Sequence, residues 1–479
     1  MALLRPAESF DVLSQRYGDK YKWIVLFILG LGTVAGVLCT SSFNVAVPAM
    51  TRHFGLGQDQ IQWAMTGFLA AMTVAMLPTS WWLDRRGFRL VFLLALATLV
   101  AASVVGFYAS SFPIVVAARI VQGAATGVLQ PMGTLALMRL VPPEIQGRAS
   151  GILILSIALT PAVAPSFGGI LLDHFGWQSI FLLGTPFALV AGLAAIYLLP
   201  APRELKTKPF DWFGLTWLTL GTIALVEGVS SLQHSGLASL WTISQAAIAV
   251  VATVLYYRHA KRRSEPIINL NLFGQRTFTM GSVVSFSYGF GLYASTYLIP
   301  VFLQHALSYS ASDAGIALLP AGIALVLMLP VAGRMADRYA PKWITLIGLV
   351  MFGVSFEIFS ILGGGLRYPE LIFATVLGRI GLGMILPALS LATLRHMEPH
   401  QLGQSSIVFS YARQLGGVMG VAIVAVFIEW REAVYGARPP GIYAAYSQGF
   451  MLLAAVFVVA VIAALLMKTE QASSHRGHT

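Results

Sequence analysis

The sequence predicts an all-α polytopic membrane protein: two six-helix bundles related by a pseudo-two-fold repeat, with two extra helices inserted between them, fourteen membrane helices in all. Three observations predict it. The 479 residues are 57% hydrophobic and only 10% charged, where a soluble domain carries about 25% charged residues; one globular core cannot hide that much apolar surface, so lipid must solvate much of it. The apolar residues also fall into runs close to the roughly 20 residues that a spanning helix needs. Finally, two short polar motifs recur at nearly constant offsets.

Residues 1–22 mix charges with Phe10, Val12, Leu13 and Tyr17. They lack the short apolar core of a cleaved signal peptide and read as a cytoplasmic N-terminal segment. The run 23–48 is long enough to be a retained first helix. Runs 61–82, 91–110, 113–139, 149–172 and 178–199 complete a first bundle over 23–199. Residues 200–277 form a linker carrying two extra helices, 212–231 and 239–258, the first the weakest of all because it contains Glu227. The second bundle, 278–467, takes runs 278–304, 312–333, 343–364, 369–394, 403–428 and 443–467, and 468–479 form a cytoplasmic tail. Continuous apolarity excludes a barrel, whose strands alternate, and leaves the helix as the spanning structure that satisfies its own backbone.

The net charge of +11 is not the footprint of a nucleic-acid partner, because the basic residues sit in short loops between apolar runs. With the N-terminus inside, 23 of the 30 Lys and Arg residues fall in cytoplasmic segments and four outside (Arg52, Arg367, Arg431, Arg438); Arg119, Arg379 and Arg413 lie within helices. The expectation is a multi-pass protein of the cell (inner) membrane with both termini cytoplasmic. The basic segment Arg258, Lys261, Arg262, Arg263 then faces membrane lipids as a topology anchor. Cys39 is the single cysteine and cannot form an internal disulfide. There is no phosphate-binding Gly-x-x-x-x-Gly-Lys-Ser/Thr loop, so no nucleotide is expected. The nine histidines, His305 and His396 among them, are scattered without metal-ligand spacing. Neither a cofactor nor a metal is expected, and no enzymatic constellation appears.

Trp82-Leu83-Asp84-Arg85-Arg86-Gly87 is echoed by Met335-Ala336-Asp337-Arg338-Tyr339-Ala340, 253 residues on, and Ala118-Arg119-Ile120-Val121-Gln122-Gly123 by Gly378-Arg379-Ile380-Gly381-Leu382-Gly383, 260 residues on. Equal halves of six helices would repeat nearer 200, and the surplus fits the two inserted helices. Facing bundles with a substrate site at mid-membrane are a transporter architecture. A carboxylate at the end of such a helix can pair with arginines and the N-terminal dipole of a neighbouring helix and latch one conformation. Asp84 and Asp337, with Arg85, Gly87, Arg89 and Arg338, are the candidates.

Together these features resemble the major facilitator superfamily, specifically its fourteen-helix drug:proton antiporter branch. The resemblance covers nearly the whole chain. Ser80-Trp81-Trp82-Leu83-Asp84-Arg85-Arg86-Gly87-Phe88-Arg89 is similar to the family's Gly-x-Leu-x-Asp-Arg-x-Gly-Arg, with Ser80 replacing the first glycine. The fifth run carries Thr160, Pro161, Ala164, Pro165, Gly168 and Gly169 and resembles the antiporter signature Gly-x-x-x-Gly-Pro-x-x-Gly-Gly, with Thr160 and Ala164 replacing glycines. Small residues let helices approach and Pro bends them; the resemblance implies that this bend shapes the outer gate of exporters, against ordinary close packing. Trp177 to Phe181 leading to Pro186, Glu265 to Leu270, Gln304 with Ser312 to Gly315 and Leu319-Pro320, and Arg413 to Gly417 match the same branch in order.

A charged side chain at the bilayer centre costs about 2.5–3.5 kcal/mol on insertion scales, so each needs a reason. The resemblance implies that Arg119, with Gln122 on its face, serves proton coupling; the structural alternative is an arginine bonded to backbone carbonyls of the first helix. Arg379 is its repeat counterpart, expected to be structural. Many relatives carry an aspartate in the first helix where this chain has Cys39, shortly before Asn44-Val45-Ala46-Val47-Pro48. The remaining membrane carboxylates are Glu227, placed one turn from its helix end, and Glu357, deeper but on a helix that the resemblance puts at the bundle periphery.

The resemblance also assigns helices 1, 4, 9 and 12 to the substrate cavity. In the ninth, Phe286, Phe290, Tyr293 and Tyr297 recur along one side, as packing or as a binding wall. Asn44, Gln62, Gln122 and Gln130 offer hydrogen bonds with little charge. Such a cavity suits a small lipophilic substrate, whether cationic, neutral, zwitterionic or weakly anionic. The expected function is a secondary active transporter, a proton-coupled exporter of drugs or lipophilic compounds working by alternating access. Two alternatives stay open: a lipid, siderophore or metabolite transporter coupled differently, and a membrane sensor or scaffold that has kept the fold without transport.

Overall fold

In lipid a backbone must satisfy its own hydrogen bonds, and the computed structural model of this chain does so with helices; no strand occurs among the described residues. These are residues 10–468 apart from 57, 201–208, 237–238, 396 and 437. The start of the expected N-terminal segment, the beginning of the linker and the tail beyond Lys468 therefore lie outside them. So do several side chains within helices, including Asn44, Gln62, Pro161 and Pro165.

Two compact units divide the chain. The first takes Met1–Val141, Leu155–Leu270 and Pro399–Tyr411, and the second takes Pro142–Ile154, Asn271–Glu398 and Ala412–Thr479. The helices in order are α1 (Phe10–Tyr17), α2 (Tyr21–Phe54), α3 (Gln58–Met76), α4 (Thr79–Arg86), α5 (Phe88–Phe107), α6 (Phe112–Leu140), α7 (Gln146–Phe175) and α8 (Thr185–Leu198). The inserted pair follows as α9 (Trp212–Ser235) and α10 (Leu240–Ala260). The remaining helices are α11 (Arg276–Val301), α12 (Ala311–Arg338), α13 (Pro341–Leu362), α14 (Tyr368–Leu394), α15 (Leu402–Tyr435) and α16 (Pro439–Leu466).

Twelve helical segments among the described residues are long and apolar enough to cross a membrane, thirteen when the bent pair Trp63–Met76 and Thr79–Arg86 counts as one span. Fourteen were expected. The remaining run, 149–172, lies inside α7, a helix of 30 residues with several side chains outside the described set. The second expected run, 61–82, is not straight: it turns by 51° between α3 and α4. Pro78 sits at the corner and precedes Thr79, the first residue of α4; it has no backbone N–H and its ring clashes with the preceding turn.

In the first unit α3 packs along α6, α2 against α6 and α8, and α9 against α10 and α3. The closest approach has a compositional cause. A Cβ on Gly123 would collide with the backbone oxygen of Phe68, and one on Gly127 with that of Met72, so glycines four apart let α6 lie directly on α3. One end of this unit is sealed by Trp177, Ile180 and Phe181, buried with Phe43, Met50, Ile61 and Val115. Phe181 stands edge-on to Phe43 at 5.9 Å between ring centroids.

In the second unit α14 packs on α12 and α13, and α16 on α11 and α13. Its core is aromatic: Phe302, Phe352, Phe356, Phe359, Phe450 and Phe457 are all buried. Ring pairs such as Phe359–Phe450 at 4.7 Å and Phe352–Phe457 at 4.8 Å add about 0.5–1.5 kcal/mol each beyond their buried area.

Candidate functional site

The first unit buries a cation. Arg119, on α6, is 2% exposed. Its Nη1 donates to the backbone oxygen of Cys39 on α2 at 2.8 Å and to Oε1 of Gln122 at 3.2 Å. The guanidinium carbon lies 4.1 Å from the ring centroids of both Phe43 and Phe68, so the planar group is sandwiched between two aromatic faces. Gln122 is held in turn by donating from Nε2 to Ser103 Oγ on α5 at 2.9 Å. The nitrogen Nε of Arg119 is buried with no hydrogen-bond partner, and no carboxylate pairs with the guanidinium among the described residues. Charge-assisted hydrogen bonds contribute about 1.5–3 kcal/mol and desolvated cation–π contacts about 2 kcal/mol, so aromatic faces and a carbonyl offset an insertion cost of about 2.5–3.5 kcal/mol with no counter-ion.

Gln122 was legible from its helical spacing. Ser103, Phe43 and Phe68 were missed, because nothing in their local sequence distinguishes them from other apolar-run residues. Cys39 stands at the centre of the cluster: Gln122 Nε2 is 4.0 Å from its Sγ, and a Cβ on Gly184 would lie 2.8 Å from that sulfur. The position is small and closed.

The two acidic loops differ. Asp337, at the end of α12, accepts from the backbone N–H of Gly147 at 2.6 Å and of Arg148 at 2.8 Å. Its carboxylate thus satisfies two of the unpaired donors at the start of α7, the stabilising place for a negative charge. Gly333 and Gly147 allow the approach, since a Cβ on either would strike the other's backbone oxygen. At the first copy Gly87 adopts φ 80° to close α4, a left-handed value that favours glycine, which accounts for its place in the motif. Arg89 is buried and donates to the backbone oxygen of Ile196 at 2.6 Å, while Arg85 lies over the Trp81 ring at 5.2 Å. Asp84 makes no hydrogen bond or ion pair among the described residues. Ser80, standing where the resemblance expects glycine, faces Gly403 instead: a Cβ there would be 2.5 Å from Ser80 Oγ.

Helix α7 runs unbroken through positions 161 and 165. Thr160 and Ala164 are buried, Gly168 faces Ser42 of α2, and Gly169 meets nothing. On α11, Phe290 is buried while Tyr293 and Tyr297 are each 37% exposed. Phe286 and Phe290 are neighbours at 6.4 Å, and their backbone oxygens meet the faces of Gly416 and Gly420 on α15. Gln130 Nε2 reaches Met72 Sδ at 3.7 Å and is not part of the arginine cluster.

The other three candidate coupling residues, Glu357, Glu227 and Arg379, stand outside the arginine cluster. Glu357 is exposed on α13, on a side shared with the exposed Val350, Val354 and Ile361. α9 ends at Ser235, four residues beyond the expected run, so Glu227 lies about two turns from the helix end rather than one. Neither glutamate, nor the half-buried Arg379, has a hydrogen bond or ion pair among the described residues.

Comparison with known proteins adds the following. A family model described as Major Facilitator Superfamily matches residues 23–421 and 281–478. The chain is 28% identical over 424 residues to a Mycobacterium tuberculosis protein named multidrug resistance protein B homolog, covering 87% of this chain and 78% of that one. It is 26% identical over 473 residues to the lincomycin resistance protein LmrB of Bacillus subtilis, covering 96% and 98%. The crystal structure of the human organic anion transporter MFSD10 (TETRAN) is similar in fold, with a TM-score of 0.65 at 14% identity, covering 91% of this chain and 99% of that one.

Proposed function

The chain belongs to the Major Facilitator Superfamily and is a membrane transporter rather than an enzyme; from that premise we propose that it exports small lipophilic compounds against their gradient in exchange for protons. The relatives named for multidrug and lincomycin resistance support the cargo class. The single observation that carries the coupling reading is Arg119: a buried cation held by a carbonyl, an amide and two aromatic rings, with one N–H unpartnered. A site of this kind responds to any charge or hydration change beside it. Asp84 and Asp337 act as conformational latches, the Thr160–Gly169 segment of α7 as a close-packing hinge, and the exposed faces of Tyr293 and Tyr297 as part of the cargo surface. The chain works as a multi-pass protein of the inner membrane with both termini cytoplasmic.

The absence of a carboxylate beside Arg119 among the described residues favours neutral, zwitterionic or weakly anionic cargo over organic cations, since a buried site with unbalanced positive charge repels a further cation. Reconstitution tests both parts. Purified protein in liposomes should move a neutral fluorescent lipophile uphill when a pH gradient is imposed and stop when an ionophore collapses it. Transport that persists unchanged without the gradient removes proton coupling. A clear preference for permanent organic cations removes the cargo assignment.

A further inference from the structure

The second unit holds two intramembrane charges without a protein partner. Arg379 on α14 and Arg413 on α15 are partly buried, and neither makes a hydrogen bond or an ion pair among the described residues. Arg119 shows the settled alternative, with a carbonyl, an amide and two rings around it. A guanidinium carries five N–H donors and a permanent charge, and placing it in the membrane costs about 2.5–3.5 kcal/mol. No carboxylate stands near either arginine. Glu357 faces the exposed side of α13, and Glu429 and Glu432 lie about 24 Å or more farther along α15 than Arg413. Glu144, Asp313, Asp337, Glu370 and Glu398 stand at helix ends or in loops.

The two arginines converge on one residue at one depth. The start of α11 meets the end of α14, since a Cβ on Gly281 would strike the Thr393 side chain, and α15 begins a few residues after α14 ends. Measured from these three ends, Tyr288 lies about 18 Å into α11, Arg379 about 22 Å into α14 and Arg413 about 17 Å into α15. Tyr288 is 4% exposed, and its hydroxyl has no hydrogen-bond partner among the described residues. Arg413, Tyr293 and Arg379 all act electrostatically on that hydroxyl. Helix α11 lies directly on α15 here: a Cβ on Gly289 would strike the backbone oxygen of Arg413, and one on Gly417 the ring of Tyr293. Tyr293 itself is exposed. Two like charges beside one hydroxyl repel each other, and an added anion relieves both.

We propose that Arg379, Arg413 and Tyr288 bind the carboxylate of an aromatic anion whose ring lies against Tyr293. A guanidinium fork matches a carboxylate with two parallel hydrogen bonds, and the unpartnered Tyr288 hydroxyl donates another. The exposed Tyr293 ring offers an apolar face to the rest of the ligand. That this anion is cargo rests on the export reading; that it binds here does not.

The test uses 2-naphthoate and the neutral 2-naphthamide, which share one ring system, with the full chain in detergent at neutral pH. In titration calorimetry the wild type should prefer the carboxylate by roughly tenfold or more, the size of a charge-assisted hydrogen bond. Arg379→Gln and Arg413→Gln should each remove most of that preference. Arg413→Lys, which keeps the charge and loses the fork, should restore only part of it. Tyr288→Phe should weaken naphthoate several-fold and leave naphthamide unchanged. Arg258→Gln/Arg262→Gln, which removes two exposed charges elsewhere, should behave as wild type. A monodisperse profile verifies each fold; where an arginine variant fails it, Tyr288→Phe decides. Equal affinity for the two probes, a preference that survives both Gln variants, or an unchanged Tyr288→Phe overturns the site. Naphthoate that binds in this way but is not moved by a pH gradient in liposomes leaves the site standing and counts against export. Uphill movement of a neutral lipophile without naphthoate binding does the reverse.

Discussion

At the scale of single residues, Arg119 and Cys39 set the chemistry. The guanidinium is neutralised by no carboxylate among the described residues, and the position nearest to it on α2 is a buried thiol. A carboxylate introduced there would meet a waiting cation. Cys39→Asp should therefore melt close to wild type, while Cys39→Asp with Arg119→Gln should be destabilised by about 3–5 kcal/mol, the cost of a buried charge left alone. Thermal melts of the two variants and of Arg119→Gln give the coupling directly. Additive effects would mean that the two side chains do not meet. The aspartate should also shift cargo preference toward organic cations, because the net charge of the cluster falls to zero.

At the scale of helices, the two acidic loops are alike in sequence and unlike in contact. Asp337 holds the start of α7 through two backbone N–H groups, whereas Asp84 holds nothing among the described residues. Asp337→Asn should lower thermal stability by about 1 kcal/mol, the usual size of a lost helix cap. Asp84→Asn should leave the melting midpoint unchanged and slow transport. Equal effects on stability would erase the distinction. The motif was legible because an acidic–basic turn between apolar runs is conspicuous, but its occupancy was not. Pairing depends on whether another helix start comes within reach, and that is settled by Gly147 and Gly333, far from each other in sequence.

At the scale of the whole molecule, the orientation proposed from basic residues can be tested almost without background, since the single cysteine is buried. Arg438→Cys should react with a membrane-impermeant maleimide on intact cells, and Arg262→Cys only after permeabilisation. The opposite pattern inverts the topology. The positions of the helices were readable because each satisfies its backbone locally and lipid demands continuous apolarity, so Phe112–Leu140 and Tyr368–Leu394 fall within a few residues of runs 113–139 and 369–394. The amino-acid order alone therefore determined the solvent, the helical class and the two acidic turns. The fold decided what lies beside each charge: Phe43 and Phe68 on Arg119, a helix start on Asp337, and two arginines around Tyr288. Those partners are brought together by close helix crossings, and a crossing depends on which surfaces fit, a property no local stretch of sequence contains.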